Sequence, residues 1–177
     1  AGIDPGRPLI AMGVNSLGHY KRWPIDCFAE VARWLIEQHH AQILIYCGPG
    51  EEEYNRSLKP LLPAALQASV FDHIQTRSVR ELAGLIAHCQ LFVGNDTGPR
   101  HMAQALDIPL LTIVSPLGHS AIANPVSHPR YRFIDTNHQH PEQEVLAVQH
   151  QLSMLWDQVT LPHGKPEEPA PDPIPVR

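Results

Sequence analysis

The residues of this chain best suited to chemistry lie in two short polar segments, Asn95-Asp96-Thr97-Gly98-Pro99-Arg100-His101 and Lys21-Arg22-Trp23-Pro24. In the first, the apolar run Phe92-Val93-Gly94 ends in a polar turn. A helix is expected to open at Pro99, with Met102, Ala105 and Leu106 on one face. Proline at the first helical position, after a small polar residue or glycine, is a helix-start signal. A helix N-terminus presents unpaired N–H groups and a partial positive charge, so it can hold an anion. Arg100 and His101 add side-chain donors in that first turn. The structural alternative is an ordinary capped crossover, of which every α/β fold has several. In the second segment, Lys21 could neutralise charge growing on a departing phosphate. Its alternative is a solvated Lys-Arg pair, with Trp23 packed on the helix that follows.

These segments need strands and helices to aim them, and the hydrophobic pattern supplies both. Residues 9–14 (LIAMGV) read as a first strand, followed by the loop Asn15-Ser16-Leu17-Gly18-His19-Tyr20. A helix is expected from residue 24 to about 39, with Phe28, Val31, Ala32, Leu35 and Ile36 at helical spacing. Residues 42–47 (QILIYC) are apolar on both faces, as a central parallel strand should be. Further strands are expected at 70–74, 91–93, 110–114 and 131–134. Helices are expected after the acidic run Glu51-Glu52-Glu53, after Ser78 as cap, at 99–106 and at 142–156. Strands alternating with helices imply right-handed crossovers and an α/β, Rossmann-like, doubly wound parallel sheet. Residues 1–157 are expected to form that unit. Five prolines between 166 and 175 mark residues 158–177 as an extended or disordered tail.

In such sheets ligands bind beyond the carboxyl ends of the strands, where four loops of this chain project. The first carries Asn15, Ser16 and Lys21. The second, 48–53, offers a carboxylate such as Glu51 that could accept hydrogen bonds from ribose hydroxyls, or simply a solvated acidic helix start. The third, 75–78, holds Arg77, which could stack on a base, and Ser78, read as a helix cap. The fourth is the Asp96-to-His101 turn.

Taken together, KRWP…FxE (from Lys21) and GNDTGxxHMAxAL (from Gly94) resemble the C-terminal half of the bacterial ADP-heptose:lipopolysaccharide heptosyltransferase family over roughly residues 8–155. That family comprises two-Rossmann-domain (GT-B type) inverting enzymes. The resemblance implies a nucleotide-sugar donor site, with ADP-heptose as the donor. Lys21 would stand at the donor's phosphate side, with Asn15 or Ser16 near hydroxyl residues of similar task, and Glu51 would contact the ribose. The loop bearing Arg77 lies where the family seats its adenine. Asp96, Thr97, Gly98 and His101 match the family's Asp-Ser/Thr-Gly-x-x-His pattern. Thr97 and Gly98 would serve the diphosphate, with Gly98 allowing close backbone approach, and His101 would donate to a phosphate or sugar oxygen. Asp96 would repel a phosphate, so a sugar hydroxyl or the loop's own N–H groups are its expected partners. Lys21 and His101 would stabilise the leaving group.

The resemblance also implies that the catalytic base and the acceptor site lie in an N-terminal domain. By that reading the chain is a donor half, without a catalytic base and inactive by itself. Its expected partners are a nucleotide sugar, that acceptor-binding domain and a lipid-linked or other glycan acceptor, in the cytoplasm or peripheral to the inner membrane. No cofactor or metal is expected. Ser115-Pro116 departs from the family's usual glycine-proline. The His- and Pro-rich segment 117–129 has no clear counterpart, and both bear on donor-sugar specificity. Two other readings remain: a stand-alone or degenerate nucleotide-binding module without transfer, and a transferase using another nucleotide sugar.

Composition narrows the field. The net charge of −5, with no basic stripe, argues against nucleic acid as the main partner. No apolar run is long enough to span a membrane. Cys27, Cys47 and Cys89 are odd in number and sit in or beside apolar segments, so they read as reduced, buried thiols. Among twelve histidines, the adjacent His39-His40 pair makes a poor chelate on a helix. His138 and His140 lack a cysteine or carboxylate at zinc-site spacing.

Overall fold

The computed structural model describes residues 2–16, 18–47, 50, 52–116 and 128–159. Six strands, β1 (Leu9–Gly13), β2 (Gln42–Cys47), β3 (Val70–Gln75), β4 (Leu91–Asn95), β5 (Leu110–Val114) and β6 (Tyr131–Asp135), pair in parallel in the order β3-β2-β1-β4-β5-β6. Among the described residues, five α-helices connect or flank them: α1 (Ile25–His39), α2 (Glu52–Arg56), α3 (Val79–Ile86), α4 (Gly98–Ala105) and α5 (Pro141–Trp156). The doubly wound parallel sheet expected from the sequence is therefore present, in the strand order that dinucleotide-binding folds use.

Side-chain alternation sorts the core into two layers. Ile10, Met12, Ile43, Ile45 and Val93 meet Phe28, Val31, Ala32 and Leu35 of α1 and Val148, Leu152 and Leu155 of α5. Their sequence neighbours Leu9, Ala11, Leu44 and Phe92 face the opposite side, where Ile86 of α3 and Ala103 of α4 close over them. Both faces are covered, which is why these strands are apolar at consecutive positions.

Some boundaries differ from expectation for local reasons. Strand β4 runs two residues further, to Asn95, because its register with β5 continues through Asn95↔Ile113. Helix α4 opens one residue earlier, at Gly98, with Thr97 as its cap and Pro99 in its first turn. After the acidic run, helix α2 is a single short turn. Pro60 and Pro63 then break the chain into the 3₁₀ turns Lys59–Leu61 and Ala64–Ser69. Residues 117–127 and 160–177, which hold most of the His/Pro-rich segment and of the expected tail, lie outside the described residues.

The three cysteines are buried. Burial pushes the Cys89 thiol up to about 12, and burial with the nearby Glu144 and Asp26 carboxylates pushes Cys27 up to about 11. Neither thiol carries the depressed pKa of a nucleophile.

His39, at the end of α1, belongs to packing. Its ring lies 3.9 Å from that of Trp156 and 4.7 Å from that of Trp34. Burial first, and then the neighbouring His40, hold its pKa below the ordinary histidine value. The unfolded chain therefore takes up this proton at a higher pH than the native protein does. The contribution of His39 to stability is full above the ordinary histidine pKa and is lost as the pH falls through that value towards the lower native one. We expect His39→Phe to lessen the loss of Tm between pH 7 and pH 5. A loss as steep as that of the parent chain would show that the ring's titration is not what is felt.

Candidate functional site

Strands β1 and β4 lie side by side at the centre of the sheet, and the chain leaves them in opposite directions. After β1 it passes to α1 on one face, and after β4 to α4 on the other. The loops diverge at this switch point and leave a crevice beyond the carboxyl ends of the strands. A cleft of about 570 Å³ opens there. Asn15, Ser16 and Lys21 line it from the β1 side, and Asp96, Thr97, Gly98 and Pro99 from the β4 side. Sequence segments some 75 residues apart thus meet on one cleft. Tyr46 at the end of β2, Leu82 of α3 and the exposed Tyr20 complete the wall, and the sequence reading did not anticipate them.

Not every expected residue joins this group. His101 sits further along α4, is exposed and is not among the lining residues. Partial desolvation of its ring, and then the adjacent Arg100 charge, lower its pKa. Arg77 is exposed in the turn after β3 and does not line the cleft either. Ser78 is the helix cap expected of it: its hydroxyl accepts from Glu81 N–H at 3.1 Å, while Arg77 N–H donates to the Glu81 carboxylate at 2.7 Å. Glu51 lies outside the described residues.

The Lys21-Arg22 pair divides into two roles. Arg22 is drawn into the loop: its Nε donates to the Ser16 carbonyl at 2.9 Å, its Nη1 meets His19 Nδ1 at 2.8 Å, and its guanidinium lies 4.5 Å from the Tyr54 ring centre. A 3₁₀ turn, His19–Lys21, is closed by Lys21 N–H on the Gly18 carbonyl at 2.8 Å. Lys21 is left on the cleft wall, the one cation among the described lining residues.

Asn95 ties the two sides of the cleft together. It is fully buried at the end of β4. Its Oδ1 accepts Trp23 N–H at 3.0 Å, and its Nδ2 donates to the Val14 carbonyl at 2.8 Å. The start of α1 and the end of β1 are therefore fixed to the turn that carries Asp96. Trp23 extends the link, its Nε1 donating at 2.8 Å to Glu144 of α5. The other Glu144 oxygen accepts Asn137 N–H at 3.0 Å and His138 N–H at 2.8 Å. The sequence reading gave no role to Asn95 or Glu144. A lone polar residue closing an apolar strand was the available sign for the first.

The opening of α4 is shaped for an acceptor-rich ligand. Pro99 has no N–H and Arg100 N–H donates to the Thr97 carbonyl at 3.1 Å, so Gly98 N–H is the first-turn donor left to a ligand, and a carbon added at Gly98 would meet no protein atom within 4 Å. The missing side chain thus leaves room in the cleft. Asp96 is held by neither loop N–H groups nor solvent alone. Its Oδ1 accepts from Arg100 Nη2 at 2.9 Å and Nε at 3.2 Å. Arg100, expected to offer donors to an anion, is only 1% exposed and spends them on Asp96 and on Gln104 Oε1 at 2.9 Å. Among the described residues, no three His, Cys, Asp or Glu side chains gather as a metal-ligand set.

Comparison with known proteins adds to this geometry. The sequence model of glycosyltransferase family 9 (heptosyltransferase) matches residues 2–156. Lipopolysaccharide heptosyltransferase 2 of Salmonella typhimurium is 31% identical over 127 residues, which is 71% of this chain and 36% of that protein. Lipooligosaccharide heptosyltransferase 2 of Haemophilus influenzae is 30% identical over 111 residues, 62% of this chain and 32% of that protein. The chain spans about a third of the length of these relatives. Among solved structures, Escherichia coli ADP-heptose lps heptosyltransferase II superposes with a TM-score of 0.67 at 24% identity, over 88% of this chain and 49% of that one. Escherichia coli heptosyltransferase WaaC with ADP gives 0.67 at 22% identity, over 84% and 44%.

Proposed function

The chain belongs to glycosyltransferase family 9, the heptosyltransferases, and from that premise we propose that it is the donor-binding half of an inverting glycosyltransferase. Its substrate is ADP-heptose or a closely related nucleotide sugar, and its product an extended lipopolysaccharide core or related glycan. One observation carries this reading: Lys21 and the Thr97-Gly98 start of α4 face one cleft at the β1/β4 switch point. A cation and the opening of a helix on one cleft suit a diphosphate. The relative solved with ADP supports adenine as the base.

In this reading Lys21 and the α4 N-terminus neutralise the diphosphate as the bond from the sugar's anomeric carbon to the phosphate oxygen breaks. The electron pair leaves with ADP. The acceptor hydroxyl attacks the opposite face and gives its proton to a base supplied by an N-terminal acceptor-binding domain, so this half alone does not turn over. Asn15 and Ser16 serve the donor's hydroxyl and phosphate oxygens, Asp96 a hydroxyl of its sugar, Glu51 the ribose and Arg77 the base, and His101 donates to a phosphate or sugar oxygen. Charge neutralisation needs no metal in this scheme. The acceptor is a lipid-linked or other glycan, which puts the work in the cytoplasm or at the cytoplasmic side of the inner membrane. Among the described residues no helix is long and apolar enough to cross one.

Calorimetric titration with ADP-heptose and ADP, against UDP- and GDP-sugars, tests the proposal. Concentrations should reach roughly the millimolar range, where binding is worth about 4 kcal/mol. Selective adenine-nucleotide binding is expected. Lys21→Ala should weaken it by about 1.5–3 kcal/mol, the worth of a charge-assisted contact. Equal binding of all nucleotides, or an unaltered affinity in Lys21→Ala, would overturn the assignment.

A further inference from the structure

Asp96 poses an electrostatic problem for any anionic ligand in this cleft. It stands on the wall beside Thr97 and Gly98, with its side chain 29% exposed to the same space. A carboxylate and a diphosphate a few ångströms apart repel each other strongly where water is partly excluded. Arg100 answers that problem. It is among the largest fully buried side chains of the molecule and reaches Asp96 from below, one helical turn further along α4. Nε and Nη2 both hold Oδ1, Nη1 is fixed by Gln104 Oε1, and the guanidinium lies 5.4 Å from the Phe133 ring centre of β6. Oδ2 takes no hydrogen bond from a described residue, so it remains available as an acceptor.

We infer that Arg100 is a positioning residue that keeps Asp96 charge-compensated, so that one carboxylate oxygen can receive a hydroxyl of the donor while the diphosphate binds beside it. A buried arginine is costly to desolvate, and its donors here are aimed at a cleft residue rather than at a structural carbonyl. The inference rests on the proposed donor site and assigns how that site tolerates an acid next to an anion. It makes Arg100 act on ligand affinity only through the charge of Asp96. The ligand effect of removing Arg100 should therefore disappear once Asp96 is neutral.

The test is ADP titration of the full chain in five forms: parent, Arg100→Met, Arg100→Lys, Asp96→Asn and the double variant Asp96→Asn/Arg100→Met. Thermal melting reports the fold of each. Arg100→Met is expected to weaken ADP on the order of tenfold through the uncovered Asp96 charge. ADP lacks the sugar whose hydroxyl Asp96 is to receive, so in this titration Asp96 acts only through its charge. Arg100→Lys, Asp96→Asn and the double variant, none leaving an uncompensated carboxylate, should stay within about threefold of the parent. A double variant as weak as folded Arg100→Met, or Arg100→Met binding as the parent does, overturns the inference. Should Arg100→Met fail to fold, the double variant and Arg100→Lys still decide it, because tenfold weakening in both contradicts a role through charge. A parent chain that binds no ADP at millimolar concentration removes the donor-site reading itself, a result distinct from failure of the charge test.

Discussion

Replacing Trp23 by alanine is expected to cost more stability than any other side-chain truncation near the cleft. Trp23 is fully buried and stands edge-on to Phe28, with ring centres 5.1 Å apart. Truncating a core Trp costs about 3–5 kcal/mol in lost transfer and cavity energy. The Glu144 carboxylate, 9% exposed, also loses its indole donor and keeps only two backbone N–H groups. An under-satisfied buried acceptor adds about 1–3 kcal/mol. Against a total of roughly 5–15 kcal/mol, that leaves little. A Tm lowered on the order of 10–20 °C follows from about 2–4 °C per kcal/mol for a chain of this size. Trp23→Phe separates the two contributions, since it keeps most of the ring packing and removes only the N–H. It should cost about 1–3 kcal/mol. If Trp23→Ala melts within a few degrees of the parent, the indole's packing and its bond to Glu144 do not carry this stability; the backbone N–H of residue 23 that Asn95 accepts survives the change.

The link from Asn95 through Trp23 to Glu144 also shows what the sequence could and could not tell. The strands were legible because a parallel sheet covered on both faces needs consecutive apolar residues. Runs such as Gln42–Cys47 have few other homes. The start of α4 was legible because proline and glycine punctuate it. Arg100 was misread for the opposite reason. A first-turn arginine normally faces water, and it is tertiary packing, with Phe133 of β6 lying 5.4 Å from the guanidinium, that makes the position interior. Asn95 was passed over because its partners, Val14 and Trp23, are 81 and 72 residues away. Nothing local distinguishes a polar residue that ends a strand from one that begins a turn. Tyr46 read as one more apolar strand residue. Its place on the cleft follows from β2 lying next to β1 at the carboxyl edge, and no periodicity encodes that order. Site residues from the two motifs converged as expected because both follow central strands. His101 and Arg77 did not, because a helix turn and an exposed loop carry them off the wall.

The order of the strands gives Gly94 a constraint of its own, and Gly94→Ala is the second large effect expected. Gly94 pairs with Gly13 at the carboxyl end of the β1/β4 pair. A carbon added at Gly94 would sit 2.7 Å from Gly13 Cα, 2.7 Å from its carbonyl oxygen and 2.8 Å from its nitrogen. All three are backbone atoms, so no rotamer change can relieve the contact; the two central strands must separate. Overpacking of this kind costs at least about 1–3 kcal/mol, and a backbone obstacle puts this case at or above the top of that range. The shift falls next to Asn95, Asp96 and Thr97, so ADP affinity should fall together with Tm. Gly13→Ala is the control. The added carbon there meets the Tyr46 hydroxyl at 2.6 Å and Phe92 Cζ at 3.0 Å, both outer ends of side chains rather than backbone atoms. Gly94→Ala should therefore be clearly the less stable of the two. Equal melting temperatures would mean that β1 and β4 can part without cost, and a cleft defined by their closeness could not then hold its donors in place for a diphosphate.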